Sequence, residues 1–292
     1  MNTLKTRIAP QERNVYSSLE IFDLEAGKAT QLCEADHLIE APNWTKDGKK
    51  IVYNAGGLLY AYDLENRRHD HIDTSYCTHC NNDHVLSPDG ERVGISHQTV
   101  EDHASRLYVT SLRGGQPRLI TPLAPSYLHG WSPDGKMLCY CAERNGQYDI
   151  YLIPSEGGEE RQLTNEPGLD DGPEFSPDGK HIWFNSSRSG LMQIYRMDVN
   201  GRDVTQMTDE ESNNWFPHVS PDGKWVVYIS YRKGEVEPTQ HPANKEVELR
   251  LMPSAGGKSR CLVPLFGGQG TLNVNSWAPD GKRFAFIRYR EK

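Results

Sequence analysis

Apolar positions along this chain come in short runs rich in β-branched and aromatic residues, and nowhere do they hold the spacing of about 3.6 residues that an amphipathic helix needs. Runs at 51–53, 93–96, 137–141, 181–185, 225–230 and 283–288 each follow a polar turn and read as strands. A second apolar run follows in five units, at 59–64, 106–112, 149–153, 193–199 and 247–252, the first four bearing a tyrosine. Shorter segments at 118–121, 161–164 and 204–208 close a unit on a Leu-Thr or similar ending. The polar turn is one word used six times: Thr45-Lys46-Asp47-Gly48-Lys49, Ser87-Pro88-Asp89-Gly90-Glu91, Ser132-Pro133-Asp134-Gly135-Lys136, Ser176-Pro177-Asp178-Gly179-Lys180, Ser220-Pro221-Asp222-Gly223-Lys224 and Ala278-Pro279-Asp280-Gly281-Lys282. Proline presets one corner, aspartate bonds the local backbone and glycine supplies positive φ, so the word is a hairpin turn. An apolar marker precedes each word: Trp44, Leu86, Trp131, Phe175, Val219 and Trp277.

Successive aspartates of the word lie 42, 45, 44, 44 and 58 residues apart, the period of a four-stranded blade rather than of a helical solenoid. The expectation is an all-β, six-bladed β-propeller. The last word stands too near the C-terminus for more than two strands, whereas 19–24 and 29–32 read as a third and fourth strand with no start. N-terminal strands therefore complete the C-terminal blade and close the ring without a free edge. The whole chain, 1–292, reads as a single domain, with blades at about 36–74, 75–121, 122–164, 165–208, 209–263, and 264–292 plus 15–35.

The word, the strand after it, an Ile-Tyr or Leu-Tyr third strand and a Leu-Thr close resemble the PD40, or WD40-like, repeat of the TolB family. Asp149-Ile150-Tyr151 through Leu163-Thr164 and Gln193-Ile194-Tyr195 through Met207-Thr208 carry the likeness, which runs from about Leu19 to Arg288. It implies a propeller and, through TolB, work by binding protein partners. TolB is periplasmic and has an additional N-terminal α/β domain, so the chain resembles the propeller portion only. Similar repeats occur beside prolyl-oligopeptidase-type peptidases, but the sequence holds no Gly-x-Ser-x-Gly elbow.

Net charge is −8 and the 32 basic residues are scattered, which argues against nucleic acid as a partner. Residues 1–13 are polar, without the apolar core of a secretory signal, and no stretch reaches membrane-spanning length, so a cytoplasmic location without membrane insertion is expected. Of six cysteines, Cys77 and Cys80 have the spacing of half a zinc site, with no second pair to complete it, and Cys139 and Cys141 alternate along one strand.

In a propeller the turn words occupy one face, and the loops entering each first strand share the other with the loops from second to third strand. The second face is where a site is expected. Five of the eleven histidines, His37, His79, His84, His129 and His218, fall in the seven residues before the six markers, where chance would put about one or two. Those segments also hold Asn82, Asp83, Asp170, Asp171, Asn214 and Trp215, the last a candidate platform for a sugar ring. Strand alternation gives His84 and His129 equivalent places and His218 the opposite parity. The long interval of 58 comes from residues 232–246, a loop on the same face whose Gln240, His241 and Asn244 can reach the channel. The same polar residues would equally serve to hold water and cap backbone groups at a narrow channel mouth.

Two functions fit this pattern. The first is a non-catalytic propeller binding a small polar ligand, such as a carbohydrate, or a protein segment, through Asn82, Asp83, His84, His129, Asp170, Asp171, Asn214, Trp215, His218, Gln240, His241 and Asn244. The second is a divalent-metal-dependent carbohydrate lyase or hydrolase. Oligogalacturonate lyases are similar propellers that hold a metal with histidines and glutamine, and His84, His129, His218, Gln240 and His241 offer those ligand types.

Overall fold

The computed structural model describes residues 14–292 and contains twenty-three strands and no α-helix among them. The leading residues 1–13, on which the expectation about export rests, lie outside the described part. No helix among the described residues is long and apolar enough to cross a membrane.

Five antiparallel sheets have four strands in simple sequential order. Blade one shows the plan: Glu40–Trp44 nearest the axis, then Lys50–Ala55, Leu58–Asp63 and Arg68–Ile72 at the rim. The inner strands of blades two to five are Cys80–Leu86, Ser126–Trp131, Asp170–Phe175 and Ser212–Val219. Rim strands are short where the segment ends on its threonine, as at Arg118–Leu119, Arg161–Gln162 and Thr205–Gln206. The sixth sheet closes the ring: Arg283–Glu291 pairs with Val15–Asp23, which pairs with Lys28–Ala35. The inner place of that blade is irregular. Residues 271–277 touch Arg283–Glu291 through a bridge of Trp277 to Phe284 and bonds from Ala285 N to Ser276 O (2.9 Å) and Ile287 N to Thr271 O (3.1 Å). Asparagine side chains take the place of ladder partners there: Asn273 Oδ1 accepts from Gly270 N (2.7 Å) and Asn275 Oδ1 from Trp277 N (3.1 Å).

The turn words fold as expected. Ser132 Oγ donates to Asp134 Oδ1 (2.6 Å) and accepts from Met137 N (2.9 Å), Lys136 N donates to Asp134 Oδ1 (3.1 Å), and Gly135 sits at φ 74. Ala278 lacks the hydroxyl, and Arg283 instead clamps Asp280 from two nitrogens (2.6 and 2.9 Å).

The apolar core is divided into six clusters, one in each interface between adjacent blades. The markers explain themselves here: Trp131 packs with Val109 of blade two and Tyr140 of its own blade, and Trp277 with Leu251 of blade five and Phe284 of the closing blade. One apolar face per sheet is not enough for a ring, so both faces of each blade are apolar, as the runs without strict alternation required. Cys77 and Cys80 belong to the core between blades one and two, where burial pushes the Cys77 thiol up to about 12 and Cys80 higher still. That apolar setting opposes the thiolate a zinc site needs, and the two thiols act as core residues.

Candidate functional site

Each inner strand of the five regular blades breaks register as it approaches the channel mouth. In blade four Asp171 pairs Asn185 and Glu174 pairs Trp183, so Gly172 and Pro173 together face one residue. Blade one does this with Ala41 and Pro42, and blade five with Phe216 and Pro217. These are β-bulges, and the residue before proline takes positive φ: 54 at Ala41, 61 at Gly172 and 56 at Phe216. In blade three the extra residue is His129, between Leu128 and Gly130. In blade two Asn81, Asn82 and Asp83 together face one residue, Ser96.

A side chain of the preceding blade caps the bulge in each of blades two to five. Asn54 donates to the carbonyls of Cys80 (2.9 Å) and Asn81 (2.8 Å), Ser96 Oγ accepts from Leu128 N (2.8 Å), Cys141 Sγ donates to Asp170 O (3.3 Å), and Asn185 Oδ1 accepts from Phe216 N (3.0 Å). All four stand seven residues after the aspartate of their turn word. This polar position inside an apolar strand is the signal in the sequence that finds the bulges.

The bulges open a cavity of about 560 Å³ at the channel mouth, on the face opposite the turn words. Asn82, Asp83, His129, Asp171 and His241 line it, and sequence reasoning had named all five. The amides Asn54, Asn81, Gln269 and Asn273, and Glu40, Tyr127, Tyr148 and Phe216, line it as well and are not among the expected ligand residues. Among the described residues no lysine or arginine lines it.

His129 Nε2 stands 3.1 Å from Asp171 Oδ1, and His241 Nε2 stands 3.8 Å from Asp171 Oδ2, so one carboxylate lies between two imidazoles from blade three and from the long loop of blade five. The His129 ring stacks on Phe216 (5.6 Å), and the edge of His241 meets Phe216 at 5.1 Å. Burial opposes charge on His129, but Asp171 and Asp83 outweigh it and lift its pKa to about 9. Burial would raise Asp171, yet His129, His241 and the Gly172 N–H hold its carboxyl below the usual range. Asp83 goes the other way: burial, with Asp171 adding to it, overcomes His129 and the Asn81 bond and takes its pKa up to about 6. His241 is pushed down by burial, with partial opposition from Asp171.

The remaining expected residues stand elsewhere. His84 does not converge with His129, because the blade-two bulge precedes it and returns it to the ladder opposite Ile95. Neither of its ring nitrogens has a hydrogen-bond partner, and burial takes its pKa down to about 4. His218 lies at the axis with both nitrogens engaged, Nδ1 to Glu174 Oε2 (2.6 Å) and Nε2 to Leu272 O (3.0 Å). Trp215 is fully buried beneath His241, with ring centroids 4.3 Å apart, so it offers no face to a sugar. Asp170 pairs Arg188 (2.8 Å), and Asn214 belongs to a buried amide and hydroxyl network with Gln193 and Ser230. Of the long loop, His241 enters the cavity and is held by Gln269, whereas Gln240 and Asn244 are exposed and do not line it. The proposed metal ligands are thus scattered. Among the described residues no group of three or more His, Cys, Asp or Glu side chains is placed to hold a metal ion.

Relatives place this geometry. The PD40 family, described as the TolB beta propeller domain, matches residues 87–265. An uncharacterized protein of Agrobacterium fabrum is 44% identical over 290 residues, 99% of this chain and 98% of that protein. A solved structure from Agrobacterium tumefaciens, provisionally named TolB, is 45% identical with a TM-score of 0.91, covering 95% of this chain and 99% of that one. An oligogalacturonate lyase in complex with manganese shares the fold at 18% identity and a TM-score of 0.57, over 82% of this chain and 69% of that one. By its repeats, its closed ring and these relatives, the chain belongs to the TolB beta-propeller family.

Proposed function

We propose that the protein is a non-catalytic binding propeller that takes a small hydroxyl-rich ligand, of the carbohydrate class, in the cavity at the channel mouth. The observation that carries this reading is Asn273: its side chain is 1% exposed and lines the cavity, Oδ1 is used by Gly270 N, and Nδ2 has no partner. A buried donor left without an acceptor costs about 1–3 kcal/mol, which a ligand oxygen would recover. Amides such as Asn81, Asn82 and Gln269 around it can both donate and accept, as hydroxyl groups require. The volume, about 560 Å³, is that of a small-molecule site.

The lyase reading fits less well. An oligogalacturonate is a polyanion, and the described lining carries Asp83 and Asp171 but no lysine or arginine. The residues named for the metal do not assemble around a common point, so no metal-assisted step is derived. Thermal shift with a panel of neutral mono- and disaccharides tests the binding reading. Stabilisation that saturates with ligand in the wild type and weakens about tenfold in Asn273→Ala is expected. A wild-type protein that no sugar stabilises would overturn the reading.

A further inference from the structure

We propose that the ligand carries a primary ammonium group, so that the cavity takes an amine-bearing sugar. This inference deepens the binding reading and rests on it. The charges in the cavity wall are unequally matched. Asp171 is engaged by His129 at 3.1 Å, His241 at 3.8 Å and the Gly172 N–H at 2.7 Å. Asp83 is not: it is 5% exposed and its side chain accepts from Asn81 Nδ2 (2.8 Å), but among the described residues no lysine, arginine or histidine forms an ion pair with it. His129 acts on Asp83 only through space, its Nε2 being in contact with Asp171, so Asp83 is a buried carboxylate with no cation touching it, a costly arrangement that a ligand cation would relieve. Glu40 lines the same cavity and is reached by Asn82 Nδ2 (3.4 Å), so the blade-one and blade-two side of the wall carries two carboxylates and side-chain amides.

The opposite requirement comes from Asn273. Its unpartnered Nδ2 needs an oxygen acceptor, so a bare metal ion or a simple alkylamine would leave it unmet. A metal ion is further disfavoured because no set of three ligating side chains converges among the described residues. One molecule meets both demands when it presents an ammonium group to Asp83 and hydroxyl or ring oxygens to Asn273 and the neighbouring amides. An ammonium group donates up to three charge-assisted hydrogen bonds, stronger than those of the hydroxyl it replaces. Replacing the ammonium by a carboxylate would set a second anion against Asp83, with His129 already in contact with Asp171.

Calorimetric titration of the full chain at about pH 7 with glucosamine, glucose and glucuronate tests this, since each charged sugar differs from glucose at a single carbon, the ammonium at C2 and the carboxylate at C6. Glucosamine binding at least about tenfold tighter than glucose, with no heat from glucuronate, is the expected result. In Asp83→Asn the ratio of glucosamine to glucose affinity falls to about one. Glucose bound as tightly as glucosamine by the wild type, or a preference that survives in folded Asp83→Asn, would overturn the ammonium inference and leave the sugar-binding reading standing. Failure of all three sugars, together with a neutral disaccharide panel, would overturn both. The wild-type ratio decides the matter without any variant, so the inference stays testable if Asp83→Asn does not fold.

Discussion

Asp83 and His129 show how one cavity wall sets two neighbouring groups against their ordinary behaviour. Burial raises Asp83 to about 6, above its ordinary 3.8, so the folded protein disfavours its charged form. The resulting penalty is present above pH 6 and fades as pH falls toward 4. Asp83→Asn is therefore expected to stabilise the free protein near neutrality by roughly 1–2 kcal/mol, with the gain disappearing at acid pH; melting temperatures across pH check this. A variant less stable than wild type at pH 7 would contradict it. His129 has the opposite sign. Its pKa is raised from 6.5 to about 9, so its pairing with Asp171 contributes stability below pH 6.5 that is lost as pH rises toward 9. At this scale the residue types were readable from the sequence, since polar residues before an apolar strand are conspicuous. Their directions were not: His84 and His129 stand at the same count from their turn words, and one bulge placed differently sends one into the ladder and the other into the cavity.

The bulge is the element that makes the site, and Gly172 is its most constrained position. It sits at φ 61, and a Cβ there would meet Asn185 Oδ1 at 2.5 Å and Phe216 Cδ1 at 2.9 Å. Asn185 Oδ1 is the cap of the next bulge, so a clash at Gly172 reaches Phe216 and through it the stacked His129. Gly172→Ala is expected to cost about 2–4 kcal/mol and to weaken ligand binding, measured by denaturant titration and calorimetry. Gly146→Ala also has positive φ, 81, but meets nothing within 4 Å, so it is the control for backbone strain alone. Equal losses in the two variants would refute the packing argument. Strands and turns were legible because each turn word contains its own hydrogen bonds. Bulges were less so, because they depend on a polar side chain of the neighbouring blade.

Across the molecule, a polar belt at the axis ties blades that never share a sheet. Glu174 of blade four accepts from His218 Nδ1 (2.6 Å) and Val219 N (3.0 Å) of blade five and from Asn275 Nδ2 (2.6 Å) of the closing blade, whose backbone carbonyl accepts from Asn43 of blade one. Glu174→Ala leaves the buried His218 Nδ1 and Val219 N without an acceptor, and Asn275 Nδ2 with only Val219 O at 3.3 Å, and is expected to cost about 3–5 kcal/mol, with Glu174→Gln recovering part of the loss in a denaturant titration. A loss of less than about 1 kcal/mol in Glu174→Ala would show that the belt is incidental to ring stability. Ring closure adds the pairing of Val15–Asp23 with Arg283–Glu291, reinforced where Arg288 Nε meets Glu20 Oε1 at 2.8 Å. Blade number, strand order and closure were determined by the sequence alone, because repeat period and turn chemistry act over a few residues and recur six times. The tertiary structure alone decided which polar residues face the cavity and which are buried at the axis or beneath the loop. Those choices depend on bulge register, on caps from adjacent blades and on a loop that brings His241 over Trp215, contacts between segments far apart in the chain that no local pattern encodes.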